Sequence, residues 1–169
     1  MPAELLVLSE RIAAACRDQP LLIATAESCT GGWAAQVVTQ TAGSSGWFDR
    51  GFVTYSNQAK VDMLGIRPET LEKFGAVSLE TAGEMASGAL NHSNAMISLA
   101  ITGIAGPGGG SPDKPVGTVC FAWCIRDAAG TTLPPSCERL LLTGDREMIR
   151  RKAVIHALNG LVALANSVP

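Results

Sequence analysis

The chain has 169 residues, of which 47% are hydrophobic and 17% are charged, and its formal net charge is −2. This composition excludes a disordered chain, and the length predicts one domain with a sizeable core over residues 1–169. The slightly acidic balance lacks the basic surface of proteins that bind nucleic acid or anionic membranes, so we expect neither partner.

The first half of the chain alternates helical and strand patterns. Apolar residues recur at helical spacing over residues 4–17, which predicts a first helix. A short apolar run at 21–26 predicts a buried strand, which leads through a polar turn at 27–32 into a predicted helix at 33–41. The other predicted elements of this half are a strand at 51–55, a short helix at 57–64 and helices at 69–74 and 79–90.

The second half predicts further strands and a long closing helix. The predicted strands are 95–102, 117–126 and 131–142. A glycine-rich loop at 103–110 follows the first of them, and a turn at 127–130 joins the other two as an antiparallel hairpin. Asp145 is the predicted N-cap of the closing helix. Alternating elements followed by a hairpin predict an α/β fold, a three-layer α/β/α sandwich with a mostly parallel, mixed sheet.

Cysteine use and the start of the chain indicate a compartment. The five cysteines are scattered, without a CxxC pair or a histidine cluster, so we expect no disulfide framework, no metal and no cofactor. The first residues lack the basic stretch of a secretory signal, and no apolar run reaches the roughly eighteen residues of a membrane span. We therefore expect a cytoplasmic protein.

Two polar loops, 27–32 and 102–110, follow predicted parallel strands, where open α/β sheets bind ligands. The first places Ser28 and Thr30 at the start of a predicted helix, where free N–H groups can stabilise an anion or a developing oxyanion. The two glycines that end it allow a ligand to approach the backbone. The alternative is that Ser28 and Thr30 only cap the helix.

A second pattern surrounds Lys60. Tyr55, the only tyrosine, closes a predicted strand, Asn57 is the predicted N-cap, and Lys60 lies one turn inside the next helix. Ser28 would need a base, and neither histidine of the chain is a plausible one. A lysine can act as that base if burial lowers its pKa from about 10.4 toward 7–8, as in Ser–Lys variants of the catalytic triad. The alternative is that Lys60 is a solvated surface residue.

Arg146 falls in the first turn of the closing helix, where the helix dipole favours acidic residues. A cation in this place indicates an anionic partner. The alternatives are a contact with the neighbouring Glu147 or exposure to solvent.

Six strings along the chain resemble the CinA family. They are TAESCTGG at 25–32, GFVTYSNQAK at 51–60, GAVS at 75–78, TGIAGP at 102–107, KPVGTV at 114–119 and GDR at 144–146. The chain looks like a stand-alone form of the C-terminal domain of that family. The resemblance implies hydrolysis of nicotinamide mononucleotide to nicotinate mononucleotide and ammonia, in pyridine-nucleotide recycling, by a homodimer or higher homo-oligomer.

The resemblance also implies roles for the residues that the patterns single out. The family's catalytic serine corresponds to Ser28, its lysine to Lys60 and its tyrosine to Tyr55. Ser28 would attack the amide carbon, Lys60 would take and return the proton, and Tyr55 would assist that transfer. Backbone N–H groups of Thr30, Gly31 and Gly32 would hold the oxyanion. The substrate phosphate would meet Thr102, Arg146 and the glycine loop, including Gly103 and Gly106.

Three alternatives stay open at the level of sequence. Cys29 is a rival nucleophile, because a helix N-terminus can favour its thiolate. The chain could be a non-catalytic nucleotide-binding or regulatory module, which needs the same anion-binding loops. It could also hydrolyse a different amide.

Overall fold

The computed structural model describes residues 1–17, 19 and 21–168. The α-helices in those ranges are α1 (Ala3–Arg17), α2 (Trp33–Val38), α3 (Asn57–Leu64), α4 (Pro68–Phe74), α5 (Leu79–Asn91) and α6 (Arg146–Ser167). The strands are β1 (Ile23–Glu27), β2 (Phe48–Val53), β3 (Ile97–Gly103), β4 (Thr118–Ile125) and β5 (Ser136–Leu141). None of the described helices is long and apolar enough to cross a membrane.

The strands form one mixed sheet in the order β2-β1-β3-β4-β5. The strands β2, β1 and β3 are parallel neighbours, whereas β4 runs antiparallel to both β3 and β5. Only β4 therefore opposes the common direction, which confirms the predicted mixed α/β sheet. The carboxyl ends of three adjacent parallel strands lie at one edge, and their loops meet there.

Side chains of different size cover the two faces of the sheet. On β3, Ile97, Leu99 and Ile101 pack into a core of branched and aromatic residues with α1, α2 and α6. The opposite face carries small residues such as Ala26 and Ala100, which pack against α5. Successive residues of a strand point to opposite faces of the sheet. Both sets of residues are buried, so helices cover both faces. The predicted three-layer sandwich is confirmed.

Helix α5 also fixes the place of α3. A side chain at Gly88 would lie 2.3 Å from the carbonyl oxygen of Leu64, so only glycine permits this close approach. Helix α3 ends directly afterwards at Gly65, which has a φ of 68° as a left-handed C-cap. Tight packing of α3 on α5 holds Lys60 near the carboxyl edge of the sheet.

The predicted hairpin is present, but β5 is shorter than expected. The side chain of Asp127 accepts hydrogen bonds from the N–H groups of Ala129 and Thr131 and closes the turn. The strand then begins at Ser136 rather than at residue 131. Two consecutive prolines at 134–135 precede it, and proline has no N–H to donate to a sheet.

Three other boundaries differ near the site. Helix α2 ends at Val38 rather than at residue 41, and the hydroxyl of Thr39 donates back to carbonyls of its last turn. Strand β2 ends at Val53, so Tyr55 lies in the following turn instead of closing the strand. Ser56, not Asn57, is the N-cap of α3, because its hydroxyl accepts the N–H of Ala59.

The predicted start of the closing helix is correct. Asp145 is the N-cap of α6, and its carboxylate accepts the N–H of Met148 at 2.8 Å. This cap places Arg146 and Arg150 one turn apart at the beginning of α6. Both side chains reach the carboxyl edge of the sheet.

Candidate active site at the carboxyl edge of the sheet

Residues at the carboxyl ends of β2, β1 and β3 form a row at this edge. Phe52 is paired with Ala26, and Ala26 with Ala100. The residues two positions further on are Thr54, Ser28 and Thr102, which by strand alternation continue the row on the α5 side. All three are buried. The two polar loops and the Tyr55–Lys60 segment predicted from the sequence therefore meet at one place.

Lys60 contacts Ser28 directly. The Lys60 Nζ lies 3.1 Å from Ser28 Oγ and donates a second hydrogen bond, of 2.8 Å, to the carbonyl oxygen of Thr54. Lys60 is 1% exposed and Ser28 is 9% exposed. The geometry excludes the view of Lys60 as a solvated surface residue. It also excludes Ser28 as a helix cap, since its oxygen faces the amine.

The surroundings of Lys60 favour the neutral amine. Burial lowers the pKa of Lys60 below its ordinary value of 10.5. Within the described residues no carboxylate forms an ion pair with Lys60. In its neutral form the amine has a free electron pair, which would adjoin the serine hydroxyl. A serine hydroxyl beside an amine of lowered pKa is an arrangement that can act as a nucleophile with its base.

The side chain of Glu27, the last residue of β1, lies at the N-terminus of α2. Its buried carboxylate accepts the hydroxyl of Thr30 at 2.6 Å and the N–H groups of Gly32, Ala34 and Ala35 at 2.8–3.1 Å. These are the donors that a helix N-terminus leaves unpaired. The sequence alone indicates only a polar turn at Glu27, because this role depends on the helix terminus that the fold brings to its carboxylate.

The occupied helix terminus corrects the predicted oxyanion site. Gly32 donates to Glu27, and the N–H of Gly31 donates to the carbonyl oxygen of Ser28 at 3.0 Å. Neither N–H is free for an oxyanion. In the described part of the chain, the N–H groups of Cys29 and Thr30 have no acceptor. Of the three predicted N–H donors, only that of Thr30 is therefore free, and the N–H of Cys29 is an additional free donor.

Gly31 and Gly32 have another task. Their φ values are 62° and 94°, in the left-handed region where side chains are strained. The turn that carries Ser28 into α2 needs this conformation. The two glycines thus shape the turn and expose its backbone.

Arg150 is the other residue that the sequence analysis missed. Its guanidinium donates to the carbonyl oxygens of Cys29 and Thr30, both at 3.0 Å. It also lies over the ring of Trp33, 5.6 Å from the ring centre. The four-residue spacing from Arg146 on α6 is a sequence signal that could have indicated it.

Tyr55 contacts Arg146 rather than the Ser28–Lys60 pair. Its hydroxyl accepts a hydrogen bond of 3.1 Å from Arg146, and its side chain is 61% exposed. Among the described residues it forms no hydrogen bond with Ser28 or Lys60. The geometry does not support the predicted part of Tyr55 in proton transfer, because the reacting pair is buried and Tyr55 lies outside it.

Arg146 joins Tyr55 to the glycine loop. Its second donor bonds the carbonyl oxygen of Gly106 at 2.7 Å, and its guanidinium stays exposed at the edge of the site. It forms no ion pair with Glu147 among the described residues. The side chain is therefore free to meet an anionic ligand on its solvent side.

Thr102 and Gly103 at the end of β3, together with Gly106 in the loop that follows, shape this side of the site. The hydroxyl of Thr102 donates to the carbonyl oxygen of Ala76 at 2.8 Å, so its proton is not available to a phosphate, contrary to the prediction. A side chain at Gly103 would meet Val119 at 2.8 Å, and one at Gly106 would meet Val116 at 2.5 Å. These glycines allow the end of β3 and the loop after it to lie against β4 and the residues just before β4.

Cys29 is a poor nucleophile in this environment. Burial is the largest influence and raises the pKa of its thiol to about 11, so the thiolate is scarce near neutral pH. The adjoining Lys60 and Arg150 lower the pKa, but less than burial raises it. The hydroxyl of Ser28, not the thiol of Cys29, is hydrogen-bonded to the Lys60 amine.

The parts together suit attack on a carbonyl group. Ser28 has a hydroxyl that could attack, the Lys60 amine lies 3.1 Å from it, and unpaired N–H groups lie within two residues of Ser28. Arg146 adds positive charge at the rim. Acyl transfer from a substrate with an anionic group fits this arrangement.

Known proteins share both the sequence and the structure. The sequence profile of the CinA C-terminal domain matches residues 6–165. Nicotinamide-nucleotide amidohydrolase PncC of Escherichia coli (strain K12) is 50% identical over 159 residues, covering 94% of this chain and 93% of that protein. A putative competence-damage inducible protein of Symbiobacterium thermophilum is 49% identical over 83% of this chain but over only 34% of its own length.

The likeness extends to solved structures. The competence/damage inducible protein CihA from Agrobacterium tumefaciens superposes with a TM-score of 0.89 at 47% sequence identity. The match covers 97% of both chains. Sequence and structure therefore agree over nearly the whole length.

Proposed function

The chain belongs to the CinA family, since residues 6–165 match the C-terminal domain of that family, and from this premise we propose that it is an amidohydrolase. The proposed reaction converts nicotinamide mononucleotide to nicotinate mononucleotide and ammonia. The observation that carries the proposal is the 3.1 Å contact between Ser28 Oγ and the buried Lys60 Nζ. A relative that is 50% identical over 94% of the chain is named for this class of reaction.

The first half of the proposed reaction forms an acyl-enzyme. Neutral Lys60 takes the hydroxyl proton of Ser28 as Oγ bonds to the carboxamide carbon. The N–H groups of Cys29 and Thr30 then hold the negative oxygen. The tetrahedral intermediate collapses when Lys60 returns the proton to the amide nitrogen, the C–N bond breaks, and ammonia leaves.

The second half restores the enzyme. Water attacks the ester carbon and gives a proton to Lys60. The bond between the carbon and Ser28 Oγ then breaks, and Lys60 returns that proton to Oγ. The product carboxylic acid ionises as it leaves. This sequence uses one base for all four proton transfers, and among the described residues no second titratable side chain is hydrogen-bonded to Ser28 Oγ.

Ammonia release tests the proposal. Purified protein is incubated with nicotinamide mononucleotide, without added metal, and ammonia and nicotinate mononucleotide are measured together. We expect equal amounts of both products. Binding of the nucleotide without ammonia would instead support the non-catalytic module, and release from another amide in a parallel panel would change the substrate.

Replacement of Arg146 by alanine should weaken recognition of the substrate phosphate. A charged hydrogen bond is worth about 1.5–3 kcal/mol, so we expect KM for nicotinamide mononucleotide to rise about 10–100-fold. The same substitution should change kcat/KM for nicotinamide riboside, which lacks the phosphate, less than about threefold. Steady-state kinetics with both substrates measures the difference.

The Tyr55→Phe variant is the control for the contacts of Arg146 inside the protein. It removes the hydroxyl that Arg146 bonds but keeps the guanidinium. We expect KM to stay near the wild-type value. An equal loss for both substrates in Arg146→Ala would contradict the phosphate role.

A further inference from the structure

The charged side chain of Arg150 bonds backbone carbonyls and no carboxylate among the described residues. The guanidinium donates to two consecutive peptide carbonyls, those of Cys29 and Thr30, and lies against Trp33. Within the described ranges it forms no ion pair with a carboxylate. A half-buried arginine that bonds only neutral carbonyls of one turn is placed to hold that turn.

The contact with Cys29 fixes the direction of a neighbouring N–H. The carbonyl of Cys29 and the N–H of Thr30 belong to the same peptide group, which is trans. In a trans peptide these two groups point in opposite directions. Because Arg150 holds the carbonyl on the α6 side, the N–H of Thr30 points away from α6.

That N–H has no acceptor in the protein. Thr30 is fully buried, and within the described residues no oxygen accepts its N–H. Buried N–H groups without partners are rare in folded proteins. This one lies two residues after Ser28 and therefore suits an oxygen of a ligand bound at Ser28.

The second contact orders the same turn. The carbonyl of Thr30 shares its peptide group with the N–H of Gly31, which donates to the carbonyl oxygen of Ser28 at 3.0 Å. Arg150 thus bonds the carbonyl of the peptide group between Thr30 and Gly31, and the N–H of the same peptide group bonds the carbonyl oxygen of Ser28. The turn is tied at both peptides that follow Cys29.

A charge-assisted hydrogen bond also polarises the peptide that accepts it. The guanidinium draws electron density toward the carbonyl oxygen of Cys29, which makes the N–H of Thr30 a stronger donor. We infer that Arg150 is a positioning residue that aims and polarises the Thr30 N–H toward the oxyanion of the reaction. This inference rests on the proposed amide hydrolysis, and the family resemblance gave Arg150 no role.

Replacement of Arg150 by methionine tests the inference while keeping apolar bulk beside Trp33. Loss of one oxyanion donor lowers kcat by about 10²–10³-fold, so we expect kcat for nicotinamide mononucleotide to fall about 10²-fold. KM should stay within about twofold, because the oxyanion forms only in the transition state. An unchanged kcat, or a loss expressed mainly in KM, would overturn the inference.

Arg151→Met is the matched control. Arg151 is the next residue of α6, but it pairs with Glu4 at the surface and does not contact the turn. We expect its kcat and KM to equal those of the wild type. If the wild type itself released no ammonia, the proposed function would fail. If kcat and KM were unchanged in both Arg150→Met and Arg151→Met, only the role of Arg150 would be contradicted.

Chemical rescue separates positioning from general support of the fold. In Arg150→Ala, millimolar methylguanidinium can enter the space that the side chain leaves and bond the same carbonyls. We expect it to raise kcat at least about fivefold at constant KM and to leave Arg151→Ala unaffected. No rise in Arg150→Ala, with an unchanged melting temperature, would show that Arg150 does not act through these carbonyls.

Discussion

Replacement of Ser28 by alanine should lower kcat for nicotinamide mononucleotide by about 10⁴-fold or more. The hydroxyl is the only group that can form the acyl bond in the proposed mechanism, and loss of a covalent nucleophile costs this much in serine hydrolases. The fold should persist, since alanine fits the 9% exposed position without strain and no helix depends on the hydroxyl as a cap. Ammonia release and thermal unfolding of the variant measure both effects.

Cys29→Ser is the matched control for the neighbouring thiol. Cys29 is buried, its pKa is raised to about 11, and its side chain plays no part in the proposed reaction. We expect kcat within about threefold of the wild type, since only a mild packing change is made. Near-normal turnover by Ser28→Ala, together with loss in Cys29→Ser, would move the nucleophile to Cys29.

Replacement of Lys60 by methionine should lower kcat by about 10³-fold or more. The substitution keeps the length of the side chain but removes the base that receives the proton of Ser28. Lys73→Met is its control, because Lys73 is exposed on α4 and should tolerate the change. Turnover of Lys60→Met near the wild-type rate would contradict the assigned base.

The same variant should change how activity depends on pH. The base must be neutral before attack, so wild-type kcat/KM should rise with pH through the lowered pKa of Lys60 and then level off. The residual activity of Lys60→Met should lack this rise. A wild-type profile that rises only near the ordinary value of 10.5 would indicate a solvated amine.

Stability should follow the same titration with a definite sign. The pKa of Lys60 is lower in the folded chain than in the unfolded chain, so between the two values the unfolded chain binds more protons. The free energy of unfolding therefore rises with pH across that window, and the cost of the buried charge is fully present below it. In Lys60→Met this rise should disappear, as denaturant unfolding at several pH values would show.

The sequence predicted the layers of the fold well because hydrophobic spacing reports them directly. It placed β5 too early because local β-propensity extended the pattern through the prolines at 134–135, which end ladder pairing. It also let β2 run to Tyr55, although the strand ends at Val53. Spacing gives the existence of an element more reliably than its last residue.

The candidate site was predictable in part. Ser28 and Lys60 stood out by residue type and by their places after strands, yet they lie 32 residues apart, and only the fold shows the contact. Arg150 reaches Cys29 across 121 residues, which no local pattern encodes. Glu27 was missed because its role depends on which side of β1 its side chain takes, and that follows from strand register.

The pKa of the Lys60 amine tests the central claim most directly. The chain has four lysines, so NMR of protein labelled with ¹³C at the lysine ε-carbon gives few signals, and Lys60→Met assigns the one of interest. We expect that signal to titrate below 10.5, because burial disfavours the charged amine. Titration of Lys60 at or above 10.5 would contradict a neutral amine at Ser28 and leave the proposed hydrolysis without its base.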